Sequence, residues 1–260
     1  MSQKSWLTAT FALGLSLNVA AEPVNLIFAG DIMLDDGPGR FISEGGDPLL
    51  PFASILKEAD YRIGNLECPI ASNGVQLDNK IYNFRAKPRV VPVLQGRFDA
   101  LSLANNHSGD YGREAFLETM IHLDQAGINY FGGGRNLAEA HKPLWIDRKG
   151  LKIAVLAYNE FKPRSFEAGA NYPGIAWSED TQVIADIRAA KAAGADLVIP
   201  FMHWGWENEG KPSERQQQLA RKMIDEGVAL VVGSHPHVIQ GAEIYKGKPI
   251  IYSLGNFVFD

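Results

Sequence analysis

One cysteine, Cys68, is all that the 260 residues contain. An intrachain disulfide is therefore excluded, and so is a zinc site built on several thiolates. Positive charge is scarce as well. Lys and Arg number 25 against 30 Asp and Glu, a net charge of −5, with no basic cluster to offset it. A general nucleic-acid binder needs the opposite balance. Internal repeats, low-complexity tracts and linkers are absent. The apolar run Trp6–Leu17 is too short for a comfortable membrane span. What remains is a chain with 46% hydrophobic residues, enough for the core of one larger globular domain.

The N-terminus reads as a targeting segment. Lys4 and the amino group form a positive start, Trp6–Leu17 the apolar stretch, and Val19-Ala20-Ala21 a small-residue cleavage site. Residues 1–21 are thus expected to be a signal peptide and 22–260 one domain. The protein is expected to be exported, periplasmic or secreted, with membrane anchoring as the outcome if the leader stays uncleaved.

Beyond residue 22, short apolar runs alternate with helical patterns. Strands are expected at 24–29, 61–63, 100–103, 152–157, 197–202, 228–232 and 249–254. Helices are expected at 50–58, 113–126, 178–193 and 213–226. Gly127, Gly194 and Gly227 serve as helix stops, Ser178 as a cap, and Ser213 with Gln216 as a capping box. Residues 69–98 lack periodicity and read as an excursion over a sheet edge. Such alternation predicts an α/β fold with a central, mostly parallel sheet covered by helices.

In such folds ligands bind beyond the carboxyl ends of the strands. Five strand ends carry metal-ligand chemistry: Asp31, Glu67, Asn105-Asn106-His107, His203 and the pair His235 and His237 of "GSHPHV". A shared sheet would place all five on one rim. Asp, Glu, Asn and His together suit Mn, Fe or Zn. A carboxylate can bridge two such ions about 3.5–4 Å apart, and the pair can activate water and clamp an oxyanion. Gly30, Gly64 and Gly233 precede three of these ends, where a close backbone turn is needed. His122, within a helix, and His141, in a loop, are read as structural. Arg85 is a candidate for binding a carboxylate or phosphate. Trp204, Trp206 and Glu207 are candidates for a pocket wall.

The segments "FAGDIML", "GNLECPI", "LANNHSGDYG", "HWGWE", "GSHPHV" and "IYSLGNFVFD" span residues 28–260. In this order they resemble the poly-γ-glutamate capsule biosynthesis protein CapA family, within the calcineurin-like metallophosphatase superfamily. The resemblance implies a layered fold with central β-sheets flanked by helices and a metal site at the strand C-terminal ends. It implies Asp31, Glu67, Asn106, His203, His235 and His237 as ligands of one or two divalent ions, Mn, Fe or Zn. His107 would contact substrate and protonate a leaving group; beside these, Asn105 and, on the chemistry of its guanidinium, Arg85 are expected to bind substrate.

Two departures stand out. The superfamily's first motif is Asp-x-His, whereas here it is Asp31-Ile32-Met33, and thioether is a poor ligand for a borderline ion. Glu67 stands where an aspartate usually bridges. Family members also commonly run on past "SLGNFVFD", so the sequence is read as a fragment or a short member. Three functions follow as expectations. The first is a part in making, exporting or anchoring an anionic polymer such as poly-γ-glutamate, with membrane-bound capsule synthesis proteins as partners. The second is an exported metallophosphoesterase acting on an unknown ester. The third is a non-catalytic, metal-containing binding module. Nucleic acid is not an expected partner.

Overall fold

The structure, a computed structural model, describes residues 22–78, 80–162 and 164–260. The expected leader lies outside the described residues. The first half of the chain supplies β1 (Leu26–Ile32), α1 (Asp36–Ser43), α2 (Ala53–Lys57), β2 (Tyr61–Leu66), α3 (Val91–Leu94), β3 (Ala100–Ser102), α4 (Gly112–Ala126) and β4 (Asn129–Phe131). The second half begins with β5 (Gly133–Gly134), α5 (Leu137–Ala140), β6 (Leu144–Arg148), β7 (Leu151–Asn159) and β8 (Gly174–Ile175). It continues through α6 (Asp180–Ala192), β9 (Leu197–His203), α7 (Glu214–Asp225), β10 (Val231–Ser234), β11 (Ile239–Tyr245), β12 (Lys248–Leu254) and β13 (Asn256–Val258).

Two large sheets result. The first is five-stranded, in the order β13-β1-β2-β3-β4, and parallel throughout. The second is six-stranded, in the order β11-β12-β10-β9-β7-β6, parallel at its centre with an antiparallel strand at each edge. The strands alternate between faces. On β7, Ile153, Val155 and Ala157 pack with Ile63, Ala100 and Phe131 of the first sheet, closing the space between the sheets. Ala154, Leu156 and Tyr158 face the other way, among residues of α6 and α7 such as Ile187 and Leu219. A third cluster joins α4, through Phe116, Met120 and Leu123, to the outer side of the first sheet. The layers therefore run helix, sheet, sheet, helix.

The single sheet suggested by the alternation alone is divided in two, in keeping with the central β-sheets that the resemblance implies. A strand buried on both faces is apolar at every position, whether it meets helices on both sides or a helix and a second sheet. The sequence pattern is the same in either case. The capping box of α7 is present: Ser213 Oγ accepts from Gln216 N at 3.3 Å, and Gln216 Oε1 accepts from Ser213 N at 2.9 Å. Ser178 is not the cap of α6. Glu179 takes that position, and the Ser178 hydroxyl donates to Glu160 Oε2. Helix α1 was not foreseen, because its sequence includes Gly37-Pro38-Gly39. Proline is tolerated there because it falls in the first turn. Among the described residues no helix is long and apolar enough to cross a membrane.

Candidate metal centre

The rim on which the strands end belongs to both sheets. Asp31 lies in β1, where the pairing with β13 shifts register between Asp31 and Ile32. Such irregularities re-aim side chains beside functional sites. Glu67 follows β2, and Asn106 and His107 follow β3. From the second sheet, His203 is the last residue of β9, and His235 and His237 follow β10. The rim depends on close backbone approach. A Cβ on Gly30 would strike the Gly255 carbonyl oxygen, and one on Gly233 the Tyr252 carbonyl oxygen and the Trp204 indole.

The His-Pro-His turn is strained. His235 has φ 98° and His237 φ 58°, both in the left-handed half that non-glycine residues avoid. Such conformations cost of order 1–3 kcal/mol each and persist where the surroundings over-determine them. Here His235 N donates to Asp31 Oδ2 at 3.1 Å, and Asn208 N donates to the Pro236 carbonyl at 2.8 Å.

The result is a tight cluster. His203 Nε2 lies 2.7 Å from Asn106 Oδ1, 3.1 Å from His235 Nδ1 and 3.4 Å from Glu67 Oε1. His237 lies 3.6 Å from Asp31 Oδ2 and 3.8 Å from Glu67 Oε1. Two overlapping triads emerge, Glu67–His203–His235 and Asp31–Glu67–His237, each offering ligand atoms within 4.8 Å of one another. Glu67 belongs to both. An exposed carboxylate, Glu207, forms a third such group with His235 and His237.

Glu67 is fully buried, yet neither of its carboxylate oxygens has a hydrogen-bond partner, and His235 Nε2 is equally bare. Leaving such groups unpaired is costly. A divalent cation fits the donor set, since it would engage these orphaned atoms together. The electrostatics agree. Burial, reinforced by Glu67, pushes Asp31 up to about 7, and burial raises Glu67 as well. Burial drives His203 down to about 3, and His235 well below the usual range with help from His203. Burial also presses on His237, but Glu67 and Asp31 outweigh it and raise its pKa. A bound cation favours carboxylate and neutral imidazole together.

His107 stands beside this cluster. Its Nδ1 is 2.6 Å from Asp110 Oδ2 and 3.0 Å from Lys80 Nζ. Asp110 is fully buried, accepts from Phe84 N at 2.8 Å and pairs with Lys80. Lys80 also donates to the Asn106 carbonyl at 2.8 Å. Burial pushes the lysine's pKa down, against the upward pull of Asp110. Sequence reasoning missed Lys80, Asp110 and Asn65. Asp110 had a signal, three positions after His107 in "NNHSGD". Lys80 had none, lying in the aperiodic excursion.

Two residues expected to bind substrate are engaged with other parts of the chain. Asn105 spends its amide internally. It donates to Asn65 Oδ1 at 3.0 Å and the Leu66 carbonyl at 2.8 Å, and it accepts from His107 N at 3.1 Å. Asn65 in turn holds Asp31 Oδ1 at 2.8 Å. Arg85 donates to the Asn73 carbonyl at 2.9 Å and lies 4.2 Å over the Tyr111 ring, so its guanidinium serves the loop. Met33 is buried with its sulfur accepting from Asp35 N at 3.1 Å. Trp204 is core, donating to the Tyr252 carbonyl. His122 pairs with Glu118 and His141 with Asp186, away from the rim.

One opening reaches the cluster and a second lies behind Phe161. The first, of about 230 Å³, is lined by Met33, Tyr82, Phe84, His107 and His237. The other, of about 460 Å³, is walled by Phe161, Trp206 and Arg215, and the Phe161 ring lies 4.0 Å from that of His235.

Stacked sheets between helices, with carboxylates and imidazoles converging at the strand ends, define a metallophosphatase-type fold. Solved structures share it. A 5'-nucleotidase precursor from Thermus thermophilus superposes with a TM-score of 0.54 at 13% identity, over 89% of this chain and 49% of that one. A hypothetical protein from the same organism gives a TM-score of 0.53 at 19% identity, over 89% and 76%. At these identities the likeness is one of fold alone. Residues 25–260 match the family described as "Bacterial capsule synthesis protein PGA_cap", and the chain belongs to that family. It is 36% identical over 242 residues to "PGA biosynthesis protein CapA" of Bacillus subtilis, covering 90% of this chain and 62% of that protein. It is 34% identical over 273 residues to "Capsule biosynthesis protein CapA" of Bacillus anthracis, covering 98% and 64%. The chain therefore spans a little under two thirds of the length of these relatives.

Proposed function

We propose that this chain carries a metal-dependent hydrolytic or transfer centre that serves the synthesis or export of poly-γ-glutamate or a related anionic polymer. The observation that carries the chemical part is Glu67, a buried carboxylate with both oxygens unpaired at the junction of two ligand triads. The names of the two Bacillus relatives support the biological part. Export, and work alongside membrane-bound synthesis proteins, belong to the same reading.

Asp31, Glu67, Asn106, His203, His235 and His237 would hold the ion or ions, and their O and N donors suit Mn, Fe or Zn. Bound there, a divalent cation supplies a Lewis acid that polarises a phosphoryl or carbonyl oxygen and acidifies water. With Nδ1–H donating to Asp110, His107 keeps Nε2 for the cleft, placed to protonate a leaving group. Phe84, 4.6 Å from the His107 ring, and Phe161 against His235 limit water around both imidazoles.

A second reading, a metal-containing module without turnover, is favoured by Met33. Its sulfur is held by Asp35 N, so the Asp31 triad has no further donor from that position. One experiment separates the two. Purified protein is assayed for metal by elemental mass spectrometry and for turnover of aryl phosphodiesters and poly-γ-glutamate. Bound metal with turnover that is lost in His107→Ala is expected. Metal without turnover on any substrate selects the binding module, and no metal at all rejects both.

A further inference from the structure

We propose that Lys80 sets the metal stoichiometry of the centre. Its buried ammonium takes up charge that a second cation would otherwise neutralise, so one divalent ion is held alone and a second only with an anion. This rests on the metal-centre reading above and adds to it a role for a residue outside the ligand set.

The charges that matter are those shielded from solvent. Asp31, Glu67 and Asp110 are fully buried carboxylates. Lys80, with 19% of its side chain exposed, is hydrogen-bonded to one of them, Asp110, and its acceptors define it as a donor. These are the Asp110 carboxylate and the Asn106 carbonyl at 2.8 Å, with His107 Nδ1 3.0 Å away. Imidazoles that ligate a metal are neutral. With the ligand imidazoles and His107 neutral, the buried groups carry a deficit of two charges, which one divalent ion cancels; a protonated His107 would cut the deficit to one and disfavour a second ion further. A second would leave an excess of two in a setting that screens poorly, unless an oxyanion or hydroxide came with it. Glu207 and Asp36 are exposed at the mouth, where water and salt screen them.

The position of Lys80 sharpens this. It grips the backbone of Asn106, whose side-chain oxygen is 2.7 Å from His203 Nε2, so the ammonium sits one residue's breadth from the ligands. Met33 works in the same direction by an independent route. Its sulfur is engaged by Asp35 N, and the Asp31–Glu67–His237 triad gains no donor from it.

The test is equilibrium dialysis of the full chain against Mn²⁺, with and without inorganic phosphate, read by elemental mass spectrometry and by calorimetric titration. The wild type is expected to hold one equivalent without phosphate and two with it. Lys80→Met is expected to hold the second ion without phosphate, its affinity raised about tenfold or more. Lys80→Arg, which keeps the charge, is expected to behave as wild type. Circular dichroism checks that the variants fold. If Lys80→Met does not, the phosphate dependence of the wild type decides alone. Two equivalents in phosphate-free wild type, equal occupancy with and without phosphate, or an unchanged second-ion affinity in folded Lys80→Met would each overturn the role of Lys80 and leave the metal centre standing. Absence of metal under every condition would overturn both.

Discussion

On the β1–β2–β3 side of the rim, nearly every polar group is tied down. Asn65 holds Asp31, Asn105 holds Asn65, and Asp110 holds His107 while taking bonds from Phe84 N and Lys80. On the β9–β10 side, position is enforced by backbone strain, with His235 and His237 both at positive φ. The carboxylate half is a hydrogen-bonded frame in which Glu67 alone has both oxygens unpaired. The imidazole half is a bent spring held against it by His235 N on Asp31 Oδ2. The first half has its polar groups paired, Glu67 excepted, whereas the second relies on its neighbours to hold two residues at positive φ.

The largest expected effect tests that exception. Glu67→Ala should weaken metal binding by more than about 100-fold, since it removes the carboxylate common to both triads. In chelator the sign should reverse. Without its unpaired buried oxygens, Glu67→Leu should be more stable than wild type by about 1–3 kcal/mol in urea unfolding. A metal-free Glu67→Leu protein less stable than wild type would mean that the buried carboxylate stabilises the fold without a cation.

The next test sets the two halves against each other through pH. Asp31 rises to about 7 in the folded state, so alone it favours the fold below its unfolded value near 3.8, and that contribution is lost as pH climbs to 7. His203 falls to about 3, so its contribution is present above its unfolded value near 6.5 and lost as pH drops toward 3. Between about pH 4 and 6.5 the two slopes oppose and nearly cancel. Asp31→Asn removes the falling contribution, so it should tilt the metal-free stability profile toward a rise with pH over that window. A profile unchanged by the substitution would show that the halves do not titrate against each other.

Smaller effects mark the edges of the centre. Ser213→Ala should cost about 1 kcal/mol through the α7 cap while leaving metal affinity alone. Arg85→Ala should change metal affinity by less than about twofold, because its guanidinium serves the Asn73 carbonyl and Tyr111. A larger loss for Arg85→Ala would place that side chain in the cleft.

The strand ends were legible because a polar residue directly after an apolar run is conspicuous, and Asp31, Glu67, Asn106, His203 and His235 all stand that way. Their division between two sheets was not. The faces of β7 and β9 are apolar on both sides, and period-two alternation disappears when both faces are buried. Asn105 looked like its neighbour Asn106, but a one-residue step points them to different partners, one into the frame and one toward His203. Lys80 reaches the centre from a stretch with no periodic pattern, so only the folded path brings it beside residues 106–110.

Consider finally strand β13, which pairs with β1 and places Asn256 opposite Asp31. Asn256 Oδ1 also meets His237 Nδ1 at 2.8 Å, so the clasp that closes the first sheet also orients a candidate ligand. Contacts between such distant parts of a chain form late, because loop closure must be met before they reward it. His237 therefore takes its place among the six donors only once the C-terminal strand has closed the first sheet. If the centre takes an ion, the compartment in which that closing step occurs would then decide which ions are on offer.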